Sequence, residues 1–506
     1  MSADIFFNIG NGAQKRSHTY LKNRCKIAMG KKYIIGLDGG THSSKVVIFD
    51  LEGNIVCEGK KDLQPLHMPE PGVVEHPDDD LWDTITEASR QAIERFKGDI
   101  KDIIGIGICT IRCCRACLKK DGTLASPVLS WMDLRLARPY EPVDPTVGYV
   151  TTTSGYITHR FTSAFKDTVA NYEGEWPVDK DTWQWSENPE VFKAYNIPRE
   201  KLFDLEMPGT ILGHVTEEAA KQTLIPAGIP VVATANDKAV EALGAGLLPG
   251  KTALISLGTY IGGMVYGENN IKDARTFFSN LASIPNQYLY ESLGIRQGMW
   301  TVNWLRHLFG EDVVKKAQLS GTSPEEILNR EAEGVAVGSD GLMTVPEWLA
   351  PPDKPFKKGI MIGFHGRHTR AHIYRSLLEA IALTMKNHVD EMCKELGIDL
   401  DRIIVSGGGS SGDLFMQIFS DVFAVPAVRN VVNAAASLGA AICAAVAVGA
   451  HENFVTAIDK MVRIRDSFYP IQKNVSAYEK INKGVYKHIT SFTDRVLEKS
   501  YHLFKQ

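Results

Sequence analysis

The sequence lacks the features that mark several large classes of protein. Its 506 residues include eight cysteines, too few for a disulfide scaffold in a chain long enough to bury its own core. The apolar, small-residue stretch 434–450 is shorter than the run of about 18 residues that a membrane span requires. Lys and Arg number 56 against 60 Asp and Glu, so the chain has no basic footprint for nucleic acid or an anionic membrane. We therefore expect a cytoplasmic protein with neither kind of partner.

The cysteines include a C-x-x-C pair, Cys114 and Cys117, with Cys109 and Cys113 nearby. A zinc site would need a second pair at similar spacing, and the sequence has none. We interpret these thiols as small apolar side chains that fill a buried strand and hairpin, with a metal or redox role as the lesser alternative.

The length favours two or three domains, and 23% charged residues is typical of a globular chain. Residues 1–32 differ from the rest, because they carry seven Lys or Arg against one acid, Asp4, and no long apolar segment. We interpret them as a disordered leader. A transit peptide or an upstream start ahead of Met29 are the alternatives.

Two similar hairpins begin the two halves of the remaining chain. In the first half, short apolar segments at 33–38, 45–49 and 55–58 alternate with glycine turns and predict an antiparallel meander. A helix over 77–96 and a buried strand over 103–109 follow. In the second half, segments 252–257 and 261–266 flank the turn Gly258-Thr259. This repetition predicts duplicated domains that face each other across a ligand cleft, with a boundary near 248–250.

The chain has no G-x-x-x-x-G-K-[ST] pattern, so phosphate binding of the P-loop kind is excluded. It has three glycine turns after strands instead, the third at 407–411 between a strand at 402–406 and a helix at 413–423. Glycine lets backbone N–H groups approach phosphate oxygens, and Thr41, Ser43 and Thr259 add hydroxyl donors. Asp38, at a strand end beside the first turn, is placed to hold Mg²⁺, partly through water.

Asp237 follows the apolar segment 230–235 and opens a predicted helix at 238–245. On its own, this position is typical of a helix N-cap. A carboxylate at a strand end in a cleft can also accept a proton from a hydroxyl group, which is the step a phosphoryl transferase needs.

Six segments, in order along residues 33–450, resemble the motifs of the FGGY carbohydrate kinases. They are Gly36-Leu37-Asp38-Gly39-Gly40-Thr41, Trp131-Met132-Asp133-Leu134-Arg135, Asn236-Asp237-Lys238-Ala239, Ser256-Leu257-Gly258-Thr259, the run Thr369–Glu379, and Ser406–Ser410 with Ser437–Ala441. The resemblance implies an α/β fold of two duplicated ribonuclease-H-like domains, as in actin-like ATPases, with an interdomain cleft. It places the N-terminal domain at 33–250 and the C-terminal domain at 251–506.

The resemblance further implies a kinase that uses ATP and Mg²⁺ to phosphorylate a small sugar, polyol or sugar acid, with Asp237 as base and Asp38 near the metal. The residues it implies for ATP are Gly40, Thr41, His42, Ser43, Lys45, Gly258, Thr259, Gly408, Gly409 and Asp413. Those it implies for the acceptor are Arg112, Trp131, Asp133, Asp237 and Lys238. A homodimer stays open as an assembly.

The sequence departs from the family pattern around the acceptor. Arg112 matches the arginine of glycerol-kinase-like members, but Cys113 stands where they have a glutamate, and Lys238 replaces the usual glutamine beside the base. With a cation retained and an anion lost, the local field would favour a substrate with partial or full negative charge, such as a sugar acid or a polyol that presents its oxygens as acceptors. The alternatives are that Arg112 forms a structural ion pair and that Lys238 is a solvated residue of the first helical turn. Two other functions are considered: a non-catalytic sensor of ATP or sugar, against which the presence of Asp237 argues, and a chaperone-type ATPase, which would need a separate β-rich peptide-binding domain.

Overall fold

A computed structural model describes residues 31–174, 176–351 and 353–504. The chain from Lys32 onward belongs to one compact unit. The leader predicted for 1–32 lies outside the described residues, apart from Lys31 and Lys32.

The first half, up to residue 250, contains the strands of one large sheet and several short pairs. Its strands are β1 (Tyr33–Gly39), β2 (Ser43–Asp50), β3 (Ile55–Asp62), β4 (Glu75–His76), β5 (Ile103–Thr110), β6 (Ala116–Lys119), β7 (Val128–Leu129), β8 (Val147–Thr151), β9 (Lys166–Thr168), β10 (Val178–Asp179), β11 (Gln184–Trp185), β12 (Asp204–Glu206), β13 (Ile211–His214) and β14 (Pro230–Asn236). Its helices are α1 (Asp80–Arg95), α2 (Thr153–Thr162), α3 (Pro189–Tyr195), α4 (Glu217–Thr223) and α5 (Asp237–Gly244).

The second half contains the other large sheet and most of the helices. Its strands are β15 (Thr252–Leu257), β16 (Ile261–Gly267), β17 (Phe277–Leu281), β18 (Tyr288–Ser292), β19 (Met343–Val345), β20 (Ile360–Ile362), β21 (Arg402–Ser406), β22 (Ala427–Asn430) and β23 (Ile464–Phe468). Its helices are α6 (Gly298–Leu308), α7 (Glu311–Ser320), α8 (Pro324–Glu333), α9 (Arg370–Leu396), α10 (Asp413–Phe423), α11 (Ala435–Ala447), α12 (Phe454–Met461), α13 (Gln472–Ile481) and α14 (Lys487–Phe504).

The two large sheets share one topology. The first has the order β13-β14-β5-β1-β2-β3, and the second has the order β17-β18-β16-β15-β21-β22-β23. In each sheet a three-stranded antiparallel meander is followed by two parallel strands and an antiparallel edge strand. The duplication that the paired hairpins predict is therefore confirmed, with one strand, β17, added to the second sheet.

The predicted strand β5 and helix α1 form because their apolar residues are spaced so that they become buried in or against the first sheet. The central strand β5, Ile-Ile-Gly-Ile-Gly-Ile-Cys-Thr, is buried almost throughout, as expected for a strand covered on both faces. Helix α1 buries Leu81, Ile85, Ala88 and Ala92 at three- and four-residue spacing and begins three residues later than predicted, at Asp80.

Helix α11 belongs to the second half of the chain, but it packs on the first sheet and not on the second. A Cβ atom built on Gly36 of β1 would lie 1.8 Å from the Ser437 carbonyl oxygen, and one on Gly107 of β5 would lie 2.0 Å from that of Ala440. Helices α5 and α11 approach each other equally closely, because a Cβ on Gly439 would lie 2.0 Å from the Val240 oxygen. The glycines therefore permit a backbone-to-backbone contact that no larger residue would allow. The division of the chain at 250 follows the sheets but not this helix, and stays a prediction.

Among the described residues, no helix combines the length and the apolar character that a membrane crossing requires.

Candidate active site

A cavity of about 1230 Å³ is lined by residues from both halves of the chain. Seven of the residues predicted from sequence to act at the site lie on its wall: Thr41, His42, Arg112, Trp131, Asp237, Lys238 and Thr259. The others do not line it: Asp38, Gly40, Ser43, Lys45, Asp133, Gly258, Gly408, Gly409 and Asp413. The first two glycine turns and the predicted base thus meet at one cavity.

The first turn joins β1 to β2. The Gly40 N–H donates to the Ser43 carbonyl oxygen at 3.1 Å, which closes the turn and leaves Thr41 and His42 facing the cavity. Asp38, near the end of β1, pairs in register with Lys45 of β2, and the Lys45 ammonium lies 2.9 Å from a Glu58 carboxylate oxygen.

Asp38 sits among other acids. Burial first, and then the charges of Asp237 and Glu241, raise the pKa of the Asp38 carboxyl to about 7. The positive charges of Lys45 and Lys238 oppose this rise but do not cancel it. At the end of β1, the nearby Lys side chains therefore do not fully compensate the negative charges of the acids.

Asp237 is the first residue of α5, but it is not the residue that caps the helix. Asn236 takes that role, because its side-chain oxygen accepts the N–H groups of Lys238 and Ala239, both at 3.0 Å. The Asn236 amide nitrogen donates to Glu173 Oε1 at 2.8 Å, which fixes the residue before the base. The N-cap interpretation of Asp237 is therefore wrong, and its carboxylate faces the cavity.

Burial raises the pKa of the Asp237 carboxyl above its ordinary value, and the positive charges of Arg112 and Lys238 partly offset that rise. One carboxylate oxygen accepts the Lys238 backbone N–H at 3.0 Å and lies 3.7 Å from Arg112 Nε. A carboxylate that has a raised pKa and lines a cavity has the properties of a general base.

Arg112 lies just beyond the end of β5 and is surrounded by carboxylates. Its two terminal nitrogens donate to the two oxygens of Glu291, at 2.7 and 2.8 Å, and one of them lies 3.5 Å from Glu173. Glu291 is 2% exposed and Glu173 6% exposed, so both acids are buried. The sequence-based premise that Arg112 has lost its anion is therefore wrong, since residues distant in sequence supply two.

Lys238 points toward the second glycine turn. Its ammonium donates to Ser256 Oγ at 2.7 Å and to a Glu241 carboxylate oxygen at 3.1 Å. A Cβ built on Gly258 would lie 3.9 Å from the same nitrogen. The turn itself is held by α6, whose first N–H, at Gly298, donates to the Thr259 carbonyl at 2.7 Å.

The third glycine turn, at 407–411, is built around Arg429 of β22. The guanidinium donates to the carbonyl oxygens of Ser410 and Ser411 at 2.8 and 3.0 Å, and it forms ion pairs with Asp413 and Asp466. Gly407 has a φ of 89°, where a side chain would meet the Leu257 backbone. The turn is thus fixed against the end of β15. Its residues are not among those that line the large cavity.

Two residues near the cavity are placed differently from the sequence-based expectation. Asp133 is 3% exposed, and its carboxylate accepts the backbone N–H groups of Val74 and Arg135 at 2.8 Å each, so it holds loops together. The interpretation of the thiols as buried side chains is confirmed for Cys109 and Cys114 but wrong for Cys113, which is exposed, has a φ of 57° and lines the cavity.

Four residues at these positions were not predicted from the sequence: Glu173, Glu241 and Glu291 at the site, and Arg429 beneath the third turn. An acid within the apolar run Tyr288–Ser292 is a signal that could have pointed to Glu291, because strands buried on both faces seldom contain an unpaired charge. No local pattern marks Glu173.

The chain is similar to proteins of known name over most of its length. It is 54% identical over 473 residues, 94% of this chain and 96% of the other, to the protein named uncharacterized sugar kinase YgcE of Escherichia coli (strain K12). A xylulose kinase from Rhodospirillum rubrum superposes with a TM-score of 0.76 at 23% identity, covering 92% of this chain and all of that one. A gluconate kinase from Lactobacillus acidophilus gives 0.78 at 19%, covering 93% and 100%.

Two domain families match the two halves. Residues 33–166 match the N-terminal domain, and residues 253–448 the C-terminal domain, of the FGGY family of carbohydrate kinases. The duplicated sheets are the two domains of the actin-like fold that these kinases share. The chain belongs to the FGGY family of carbohydrate kinases, as its motifs and their order predict.

Proposed function

We propose that this kinase transfers the terminal phosphoryl group of ATP to a hydroxyl of a small neutral sugar or polyol, with Asp237 as the general base. The observation that supports the proposal most is the position of Asp237. It shares one cavity with Thr41 and Thr259 of the two turns, and Asn236, not Asp237, is the residue that caps α5.

The base works by accepting the proton of the acceptor hydroxyl as the new oxygen–phosphorus bond forms. The raised pKa makes Asp237 a better proton acceptor than an exposed aspartate, while Arg112 and Lys238 keep it ionised. Arg112 lines the same cavity with its Nε 3.7 Å from the carboxylate, so that Nε–H could donate to an acceptor oxygen.

The donor phosphates would lie between the turns at 39–42 and 256–259. Thr41, His42 and Thr259 line the cavity there and could offer hydroxyl and backbone N–H donors, and the Lys238 ammonium lies beside the second turn. The adenosine would lie along the third turn, at Gly408, Gly409 and Asp413. A Cβ built on Gly408 meets no atom within 4 Å, so that side of the turn is open.

The residues around Asp38 fit a Mg²⁺ ion. Burial first, and then repulsion by Asp237 and Glu241, raises the Asp38 pKa to about 7, and a cation would relieve that repulsion. No group of three or more His, Cys, Asp or Glu side chains in the described ranges is arranged to enclose a metal. Asp38 would therefore supply one ligand, with phosphate oxygens and water completing the shell. When bound, the ion would neutralise charge on the phosphates.

The charges immediately around Arg112 favour a neutral substrate over a sugar acid. Asp237, Glu173 and Glu291 face one guanidinium, Arg112, whose terminal nitrogens are already paired. Beside Arg112, a carboxylate on the acceptor would lie next to these three acids, although the cavity wall as a whole also carries Lys180, Lys238, Lys272 and Arg296. Hydroxyl groups, in contrast, can donate to Glu173 and accept from Arg112, and Trp131 offers an apolar face for the carbon skeleton.

The test is a coupled assay of ADP release with pairs of acceptors that share one carbon chain, each pair a ketose or polyol and its aldonic acid. The proposal expects turnover of a neutral member and little of its acid. Faster turnover of the acids across the pairs would contradict the neutral assignment. Absence of any turnover above the ATPase background over a broad panel of sugars and polyols would contradict the proposed activity itself.

A further inference from the structure

We infer that Glu291, a residue of the second half, is a positioning residue that orients Arg112 at the acceptor site of the first half. The inference rests on the proposed function, because it takes Arg112 to be an acceptor-binding group. It assigns to the C-terminal domain a part in acceptor binding that is separate from its phosphate turn.

The geometry of the pair is that of a buried two-pronged ion pair. Both Glu291 oxygens accept from Arg112, at 2.7 and 2.8 Å, and Asn280 Nδ2 lies 3.3 Å from one of them. The pair joins residues 179 positions apart in the chain. Glu291 stands in β18, opposite Met264 of β16 and Phe278 of β17, so the second sheet fixes its backbone on both sides.

The sheet also leaves room for the carboxylate. A Cβ built on Gly262 of β16 would lie 3.4 Å from Glu291 Oε1, so any side chain at that position would already be in contact with the acid. Five N–H donors radiate from a guanidinium, and Glu291 takes two of them in a fixed plane. The direction of the remaining donors, including the Nε–H near Asp237, is therefore set by β18.

Glu291 also keeps Arg112 away from the base. Arg112 Nε lies 3.7 Å from Asp237 Oδ1, which is longer than a hydrogen bond. Without Glu291, nothing of comparable strength would hold the guanidinium back, because the contact to Glu173 is 3.5 Å long. Arg112 would then be free to close on Asp237 and occupy the space of the acceptor hydroxyl.

The experiment compares Glu291→Gln, Arg112→Met and the double variant in steady-state assays with the best neutral acceptor. We expect Glu291→Gln and Arg112→Met each to raise the acceptor KM at least about tenfold while the ATP KM changes less than about threefold. The double variant should be no worse than Arg112→Met, because Glu291 acts through Arg112. Glu291→Asp, which keeps the charge on a shorter side chain, should fall between wild type and Glu291→Gln.

Tyr288→Phe is the matched control, since Tyr288 lies on the same strand and donates to the Lys180 carbonyl at 2.8 Å without contact to Arg112. It should leave both KM values unchanged. A purely structural role for Glu291 predicts instead that both KM values rise together and that the two substitutions add. Either result would overturn the inference.

A second measurement needs no acceptor. The losses in Tm of the two single variants should be strongly non-additive in the double variant, and additive losses would overturn the pairing. Should Glu291→Gln fail to fold, the same comparison is made with Glu291→Asp. A wild-type enzyme that phosphorylates no acceptor, with non-additive Tm values, would contradict the proposed function and remove the acceptor role of Arg112, while leaving the pairing itself intact.

Discussion

Replacing Asp38 with asparagine should stabilise the protein, and it should do so only above a certain pH. Asp38 is a partly buried carboxyl whose pKa is raised to about 7 by burial and by the charges of Asp237 and Glu241. Ionised Asp38 is therefore a source of instability in the protein without ligands. The amide of asparagine has nearly the same shape and no charge, so Asp38→Asn removes the cost of burying a charge together with the repulsion, and little else.

The size of the effect follows from the shift. A carboxyl that moves from a pKa of 3.8 to about 7 on folding costs at most about 4 kcal/mol once it is fully ionised. The folded pKa lies above the unfolded one, so the cost is absent below about pH 4, grows between pH 4 and 7, and is complete above pH 7. We expect a gain of about 1–4 kcal/mol at pH 8, because relaxation and water reduce the full value.

The assay is thermal unfolding at pH 5 and pH 8 without nucleotide. The Tm of Asp38→Asn relative to wild type should be higher at pH 8 than at pH 5. Asp459→Asn, which removes an exposed carboxylate on α12, should show no such difference. Addition of MgATP should reduce the difference between Asp38→Asn and wild type at pH 8, since a cation would relieve the repulsion in the wild type. If Asp38→Asn is less stable than wild type at pH 8, or shows the same change in Tm at both pH values, ionised Asp38 does not destabilise the folded protein.

Two further predictions concern packing and the third turn. Gly439→Ala should lower the Tm markedly, because its Cβ would lie 2.0 Å from the Val240 oxygen, whereas Gly484→Ala, with no atom within 4 Å, should be neutral or slightly stabilising; equal effects would contradict the close packing of α5 and α11. Arg429→Met should weaken ATP binding, measured by calorimetry, by about tenfold and leave the acceptor KM unchanged, because the guanidinium holds the Ser410 carbonyl in the turn; unchanged ATP affinity would count against an adenosine site there.

Much of the fold could be predicted because the relevant signals are local. The hairpins around Gly40 and Gly258 appear in the sequence as apolar segments separated by glycine turns, and the structure places strands at both. The repeat of that pattern predicted the duplication. The packing of α11 on the first sheet could not be predicted in this way, because it depends on small residues in β1 and β5 that lie more than 300 positions away.

The candidate site was predictable where a motif carries it and not where distant residues meet. Asp237 and the two turns were found from their motifs, and they do share one cavity. The prediction that no acid lies beside Arg112 was wrong, because its partner Glu291 belongs to the other sheet and only the fold brings the two residues together. Asp133 was predicted to bind the acceptor because it lies within a recognised motif. Its carboxylate instead accepts hydrogen bonds from backbone N–H groups of neighbouring loops.

The role of Asp237 as general base of this carbohydrate kinase is tested by one rate measurement. The kcat of Asp237→Asn is compared with wild type on the acceptor that the paired screen identifies, with ATP-analogue affinity and Tm measured on the same preparations. We expect kcat to fall by about 10²–10⁴-fold while binding of the ATP analogue is retained. A kcat near the wild-type value in Asp237→Asn would contradict it.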